Sequence, residues 1–208
     1  MSTQFLSPDG KTILDVTPRD AFEVDTDEII FAIKAQFDRR ELAFRELGQN
    51  SQDANATKIF LDHRYENGEM VSSFLDDGYG MTEEVIRHHY FRLFDSSKEN
   101  DPNAVGYFSA GRISMLCYAP RQIEILTLAQ GHPGLFLVIN QNLSAEFYET
   151  PAEDATAILD SPHGTHVTLY VPMADEKAFI EEVGRINACV EENLCWIRPE
   201  VTLTEVKP

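Results

Sequence analysis

Strand-forming residues crowd two short stretches, 57–63 and 70–75, with Asn67-Gly68 between them, which predicts an antiparallel hairpin. Further on, 121–130 and 135–141 are alternating or continuous apolar runs joined by Gly131-His132-Pro133-Gly134. Stretches 143–149 and 164–171 read as two more strands, and 201–206 alternates as a last short one. Helical spacing dominates elsewhere. Residues 28–58 hold few breakers: Asp25, Thr26 or Asp27 can cap a helix over 29–37, Asp38-Arg39-Arg40 interrupts it, and a second helix carries Glu46. Thr82-Glu83-Glu84 opens a helix running to about residue 94, and in 174–192 Phe179, Val183, Ile186 and Val190 share one side of a helix. Residues 1–27 form an extended, strand-capable lead-in with turn chemistry at Ser7-Pro8-Asp9-Gly10. Helices first and hairpins later predict a single α+β sandwich domain across residues 1–208.

Composition narrows the partners. Thirty-five acidic residues against 17 basic ones give a net charge of -18, which disfavours the nucleic-acid backbone as a partner. A small polyanion remains open, because backbone N–H groups and a metal ion can hold one locally. No apolar run approaches the ~20 residues that span a bilayer, and the start of the chain lacks a basic segment followed by an apolar one. A cytoplasmic location is the expectation. Cys117, Cys189 and Cys195 lack metal-ligand spacing and read as reduced thiols.

Candidate chemistry sits in three places. On the second helix Glu46, Asn50 and Asp53 lie four and then three residues apart, on one stripe, with Leu42, Leu47 and Ala54 on another. A carboxylate beside an amide suits a general base next to a divalent-metal ligand, although a solvated amphipathic helix has the same pattern. Asp76-Asp77-Gly78-Tyr79-Gly80-Met81 ends the hairpin: either a tight turn, or an aspartate beside open backbone that can meet a flat heterocycle. Between Val105 and Ser114 small residues open into an apolar run, which is either an anion-binding loop before a helix or a plain turn. His88 and His89 are adjacent and point apart, so they read as ordinary helix residues.

Four ordered segments resemble the GHKL nucleotide-binding superfamily, the group of gyrase, the ninety-kilodalton heat-shock chaperones, histidine kinases and MutL. They are Glu46-Leu-Gly-Gln-Asn50-Ser-Gln-Asp53-Ala, Asp76-Asp-Gly78-Tyr-Gly80-Met, Gly106-Tyr-Phe-Ser-Ala-Gly111 and His163-Gly164-Thr165-His-Val-Thr-Leu. The run Phe44-Arg45-Glu46-Leu47 leading into Asn50 is most similar to the heat-shock branch. The resemblance implies a mostly antiparallel sheet covered on one face by helices, and an ATP or ADP site with Mg2+. It assigns Glu46 to the general base and Asn50 to the Mg2+ ligand. Asp76 would pair with the adenine amine, supported by Thr165. Asp53, Gly78, Gly80 and Met81 would line the nucleotide pocket. A lid over 82–115 would bring Lys98, Gly106, Phe108 and Gly111 to the phosphates, with Ser96 and Ser97 in it. Two positions depart from the pattern: Ser109 stands where the heat-shock branch usually has glycine, and Asp77 is acidic where Thr or Asn is common.

The expected function is therefore Mg-dependent ATP hydrolysis, slow or partner-dependent, with lid closure switching shape or partner binding as in a chaperone-like ATPase. The alternatives are a nucleotide-gated interaction module with little turnover and a GHKL-type protein kinase. A protein partner or client and a nucleotide-dependent dimer follow as expectations. The chain has room for the nucleotide-binding domain alone, so a second domain's basic residue would have to come from elsewhere.

Overall fold

Asn67 and Gly68 both adopt positive φ, at 53° and 81°, and the two-residue turn they make joins β3 (Lys58–Glu66) to β4 (Glu69–Asp76) as the sequence predicts. The computed structural model describes residues 3–6, 13–22, 39–89 and 114–204, and for 3–6, 13–22, 88 and 89 the backbone alone. The expected helix over 29–37, the turn at Ser7 to Gly10, and the lid residues Lys98, Gly106, Phe108 and Gly111 lie outside the described residues.

The lead-in is a hairpin: β1 (Thr3–Leu6) pairs with β2 (Ile13–Phe22), which in turn pairs antiparallel with β7 (Ala145–Thr150). With β5 (Gln122–Leu128), β6 (Gly134–Asn140), β8 (Gly164–Pro172) and β9 (Glu200–Leu203) the strands form one sheet in the order β1-β2-β7-β6-β5-β8-β4-β3-β9. Neighbours are antiparallel except β9, which adds parallel to β3. A parallel neighbour needs a long crossover. Here α4 (Glu176–Leu194) supplies it, and the Asp175 side chain caps that helix by accepting the Ala178 N–H at 2.7 Å.

Helices α1 (Leu42–Asp53) and α4 lie on one face of the sheet. Phe44 and Leu47 from α1, and Phe179, Val183, Ile186 and Val190 from α4, bury against Ile59, Leu61, Phe74, Ile125, Val167 and Leu169. Each such side chain contributes on the order of 1.5–3 kcal/mol. Gly48 lets the helices approach closely, since a Cβ there would come within 2.6 Å of Leu194. The α+β sandwich stands as expected, with one addition. A short helix, α3 (Ala152–Leu159), packs on the opposite face against Leu126, Leu128, Phe136 and Val138. Its signals were in the sequence: Pro151 ahead of it and Glu153 and Asp154 in the first turn, where the helix dipole favours acids.

Helix α2 (Glu83–His89) begins where expected. The apolar run after the glycine loop is a 3-10 helix, Ser114–Tyr118, and not a longer α-helix. Pro120 disfavours helical geometry at the residue before it, and Ala119 turns to φ 46°.

Candidate functional site

Asp76 is the last residue of β4, and the alternation of the strand turns it to the helix-covered face. Register places Asp76 opposite Thr165 on β8, and Thr165 opposite Thr127 on β5, so three polar residues form a row at one end of the sheet. Helix α1 ends above this row. Ser51, buried on the core side of α1, donates its hydroxyl to Asp76 Oδ2 at 2.7 Å, and the Gly78 N–H donates to Oδ1 at 2.9 Å. Burial pushes the Asp76 carboxyl above the usual range; these two bonds and a weaker one from the Thr165 backbone N–H pull it back only in part, and neighbouring Asp77 pushes it further up. A carboxylate accepts along about four lone-pair directions, so Asp76 retains acceptor capacity.

The loop after Asp76 is fastened on several sides. Tyr79 N–H donates to the Ala54 carbonyl at 2.9 Å, at the C-terminal end of α1. Met81 N–H donates to Thr127 Oγ1 at 2.8 Å, and the Thr127 hydroxyl donates onward to the Gly164 carbonyl at 3.0 Å. With its proton so used, Thr127 accepts from Thr165 Oγ1 across 3.1 Å. Asp77, the acidic departure noted in the sequence, is a backbone staple. Its carboxylate accepts the N–H groups of Thr57 at 2.6 Å and Lys58 at 2.8 Å together with the Thr57 hydroxyl. Partial burial pushes Asp77 up, but those bonds outweigh it and hold the carboxyl below the usual range.

Both loop glycines are required by close packing. A Cβ at Gly78 would come within 2.8 Å of Ala54 and 2.9 Å of Asp76 Oδ1. At Gly80, with φ 68°, it would lie 2.0 Å from the Leu128 carbonyl oxygen.

On α1 the side chains divide by helical angle, about 100° per residue. Leu47 and Ser51 face the sheet, while Gly48 and Gln52 meet Leu194 and the Arg198 N–H on the α4 flank. Glu46 and Asn50 therefore project from the other flank, half-buried, and Asp53 on the same stripe is exposed. Glu46 is paired with the guanidinium of Arg45, Nε to Oε1 at 3.0 Å. The Asn50 side chain makes no hydrogen bond among the described residues.

The structure thus gathers Asp76, Gly78, Gly80, Met81 and Thr165 around one end of the sheet, with the Asn50 end of α1 above them. The α1 side chain that touches Asp76 is Ser51, not Asp53. Ser51, Thr127 and His163 have parts here that the sequence did not reveal: Ser51 and His163 stood inside noticed segments, and Thr127 carried no local signal. An open polar cavity of about 480 Å³, lined by Arg121, Asn140, Gln141, Asn142 and Ser144, lies at the other end of β5. That is about 20 Å along the strand from Thr127. Among the described residues no group of three or more His, Cys, Asp and Glu side chains could hold a metal, and no helix is long and apolar enough to cross a membrane.

Residues 39–165 match a family described as "Histidine kinase-, DNA gyrase B-, and HSP90-like ATPase". Among curated proteins the chain has no match.

Proposed function

The chain belongs to this family of ATPases, and from that premise we propose that it binds ATP at the Asp76 end of the sheet and hydrolyses it with Mg2+. The observation that carries the reading is Asp76 itself: a buried carboxylate with spare acceptor capacity, next to a turn whose geometry is pinned from α1, β3 and β5. Adenine presents an exocyclic amine to such an acceptor, and Thr165, directly opposite on β8, can support the base edge. The phosphates would extend along the Glu46 and Asn50 flank of α1.

Asn50 would hold Mg2+. Its unengaged amide, with no other ligand cluster among the described residues, fits a metal that keeps most of its shell for phosphate and water. Bound there, Mg2+ would neutralise charge on the β- and γ-phosphates. Glu46 would orient a water and take its proton as the water oxygen bonds to the γ-phosphorus and the bond to the β,γ-bridging oxygen breaks. Lid closure over 82–115 with Lys98, Gly106, Phe108 and Gly111, and a chaperone-like use of the cycle in the manner of the heat-shock branch, complete the proposal.

One observation favours a second reading, a nucleotide-gated module with little turnover. Glu46 is already engaged by Arg45 and must exchange that partner for water before it can act as a base.

Calorimetry with Mg-ADP and phosphate release from Mg-ATP test both. Asp76→Asn is expected to weaken Mg-ADP binding at least about a hundredfold, since an amide donor would face the adenine amine. Unchanged ADP affinity would remove Asp76 from the site. Glu46→Ala should keep ATP affinity and lose phosphate release. Equal release by variant and parent would reject Glu46 as the base, no release from the parent would favour the gated module, and label transferred to a protein would indicate a kinase.

A further inference from the structure

His163 sits where β8 begins, one residue before Gly164. That glycine has φ 149°, and a Cβ on it would come within 2.2 Å of the Asp76 carbonyl oxygen, so β8 starts directly against the backbone of the base-reading turn. The close approach brings the half-buried His163 ring to the turn. Its Nδ1 lies 2.7 Å from the Gly78 carbonyl oxygen and 3.1 Å from that of Asp77. Carbonyls only accept, so Nδ1 carries a proton here and donates.

Those two carbonyls belong to two successive peptide planes. The plane holding the Asp77 carbonyl also holds the Gly78 N–H, which donates to Asp76 Oδ1 at 2.9 Å. The plane holding the Gly78 carbonyl also holds the Tyr79 N–H, which donates to the Ala54 carbonyl at 2.9 Å. Each plane is therefore gripped at its oxygen by His163 and aimed at its nitrogen toward either the Asp76 carboxylate or the end of α1. Glycines at 78 and 80 give the turn more backbone freedom to lose than other residues there would, so an external donor has a large effect on its aim.

We propose that His163 is a positioning residue for nucleotide recognition: it fixes the tilt of the 77–78 and 78–79 peptide planes and thereby the direction in which Asp76 presents its free lone pairs. This rests on the reading of Asp76 as the adenine acceptor. His163 acts through the turn and does not itself meet the base.

The geometry gives a stereochemical test. The amide nitrogen of Asn can take the place of the imidazole Nδ1, whereas that of Gln reaches toward Nε2, and Leu keeps bulk with no donor. His163→Asn is expected to hold Mg-ADP affinity within about threefold of the parent, and His163→Gln and His163→Leu to weaken it about tenfold or more, the scale of one lost buried hydrogen bond. Amide hydrogen exchange in the nucleotide-free protein provides a second readout. The Gly78 and Tyr79 amides should exchange faster in the Gln and Leu variants and stay protected in His163→Asn, while Val167 and Leu169 in β8 remain protected in all three, reporting an intact fold. Affinity in His163→Leu equal to the parent, or a loss in His163→Asn as large as in His163→Leu, would overturn the proposal. If the parent itself binds no Mg-ADP, the adenine reading fails, and the exchange pattern still decides whether His163 grips the turn.

Discussion

The two ends of α1 each meet a buried carboxylate, and the two are treated in opposite ways. Ahead of the helix, Arg40 forms two hydrogen bonds to fully buried Glu182, and Arg185 adds more from α4 itself. Burial pushes Glu182 up, but the bonds and charges of Arg40 and Arg185 reverse it and hold the carboxyl below the usual range. At the far end Asp76 receives a hydroxyl and the backbone N–H groups of Gly78 and Thr165, no cation among them, and stays above its usual range. The Glu182 cluster is supplied with two cations and ties the start of α1 to α4. The Asp76 cluster is left short of positive charge, which is the condition under which a ligand's donor adds most. Incomplete compensation separates a candidate binding acid from a structural one.

Arg40→Leu should break this contrast most strongly. It leaves Glu182 with fewer donors, but Arg185 remains and both guanidiniums reach solvent, at 43% and 50% exposure. The cost is therefore discounted from the buried-pair range to about 2 kcal/mol. Urea unfolding should show that loss while Mg-ADP affinity of the folded protein is kept; a parallel loss of affinity would mean that the two ends of α1 are not independent.

Asp76→Asn should act in the opposite sense on stability, raising it by up to about 1 kcal/mol at neutral pH. The new amide can donate to Ser51 Oγ, which lies 3.1 Å from the Leu47 carbonyl and can turn its proton there. The sign follows from the raised carboxyl: above the ordinary aspartate value of ~3.9 the unfolded chain ionises first, so parent stability falls as pH rises through the folded pKa. Thermal unfolding against pH should show parent and variant converging below that ordinary value and separating above it. Identical curves would mean that Asp76 is fully compensated after all.

Glu124 carries the comparison to a carboxylate away from both ends of α1. It lies on the opposite face of the sheet, where burial raises its carboxyl to about 7 against the lowering effects of the Tyr170 hydroxyl, 3.0 Å away, and of Arg121. Arg121 is itself occupied by Glu69. The folded chain thus holds an extra proton between ~4.3 and about 7, and the parent loses stability across that window as pH rises. Glu124→Gln should remove that slope, matching the parent at pH 4 and gaining on it up to pH 7 by at most about 1.4 kcal/mol per pH unit of that window, less what partial exposure screens away. An unchanged slope would place the titration elsewhere.

Most of the fold was legible because it is local: the Asn67-Gly68 turn, the apolar runs of β5 and β6, and the capped, one-sided helix α4 each carry their own pattern. The order of the motifs along the chain carried the family. What stayed hidden is long-range. Arg40 and Glu182 are 142 positions apart, and nothing near either one names the other. Thr127 reads as one more β-branched strand residue until register sets it beside Thr165. The sequence pointed to Asp53 on α1 and passed over Ser51, but the rotation of the helix against the sheet, set by Phe44 and Leu47, brings Ser51 to Asp76. Asp77 read only as a departure from the family pattern, because its partners, Thr57 and Lys58 at the start of β3, lie 20 and 19 positions away.

The parallel docking of β9 carries a practical consequence for anyone trimming this chain. Thr57 gives its N–H and hydroxyl to Asp77 and its carbonyl to the Glu200 N–H, and residues 58–61 are sheathed by 200–203. A fragment cut after α4 would expose β3 as a raw sheet edge with Phe60 beside it, inviting fibril-like stacking at the very residues that moor the turn after Asp76.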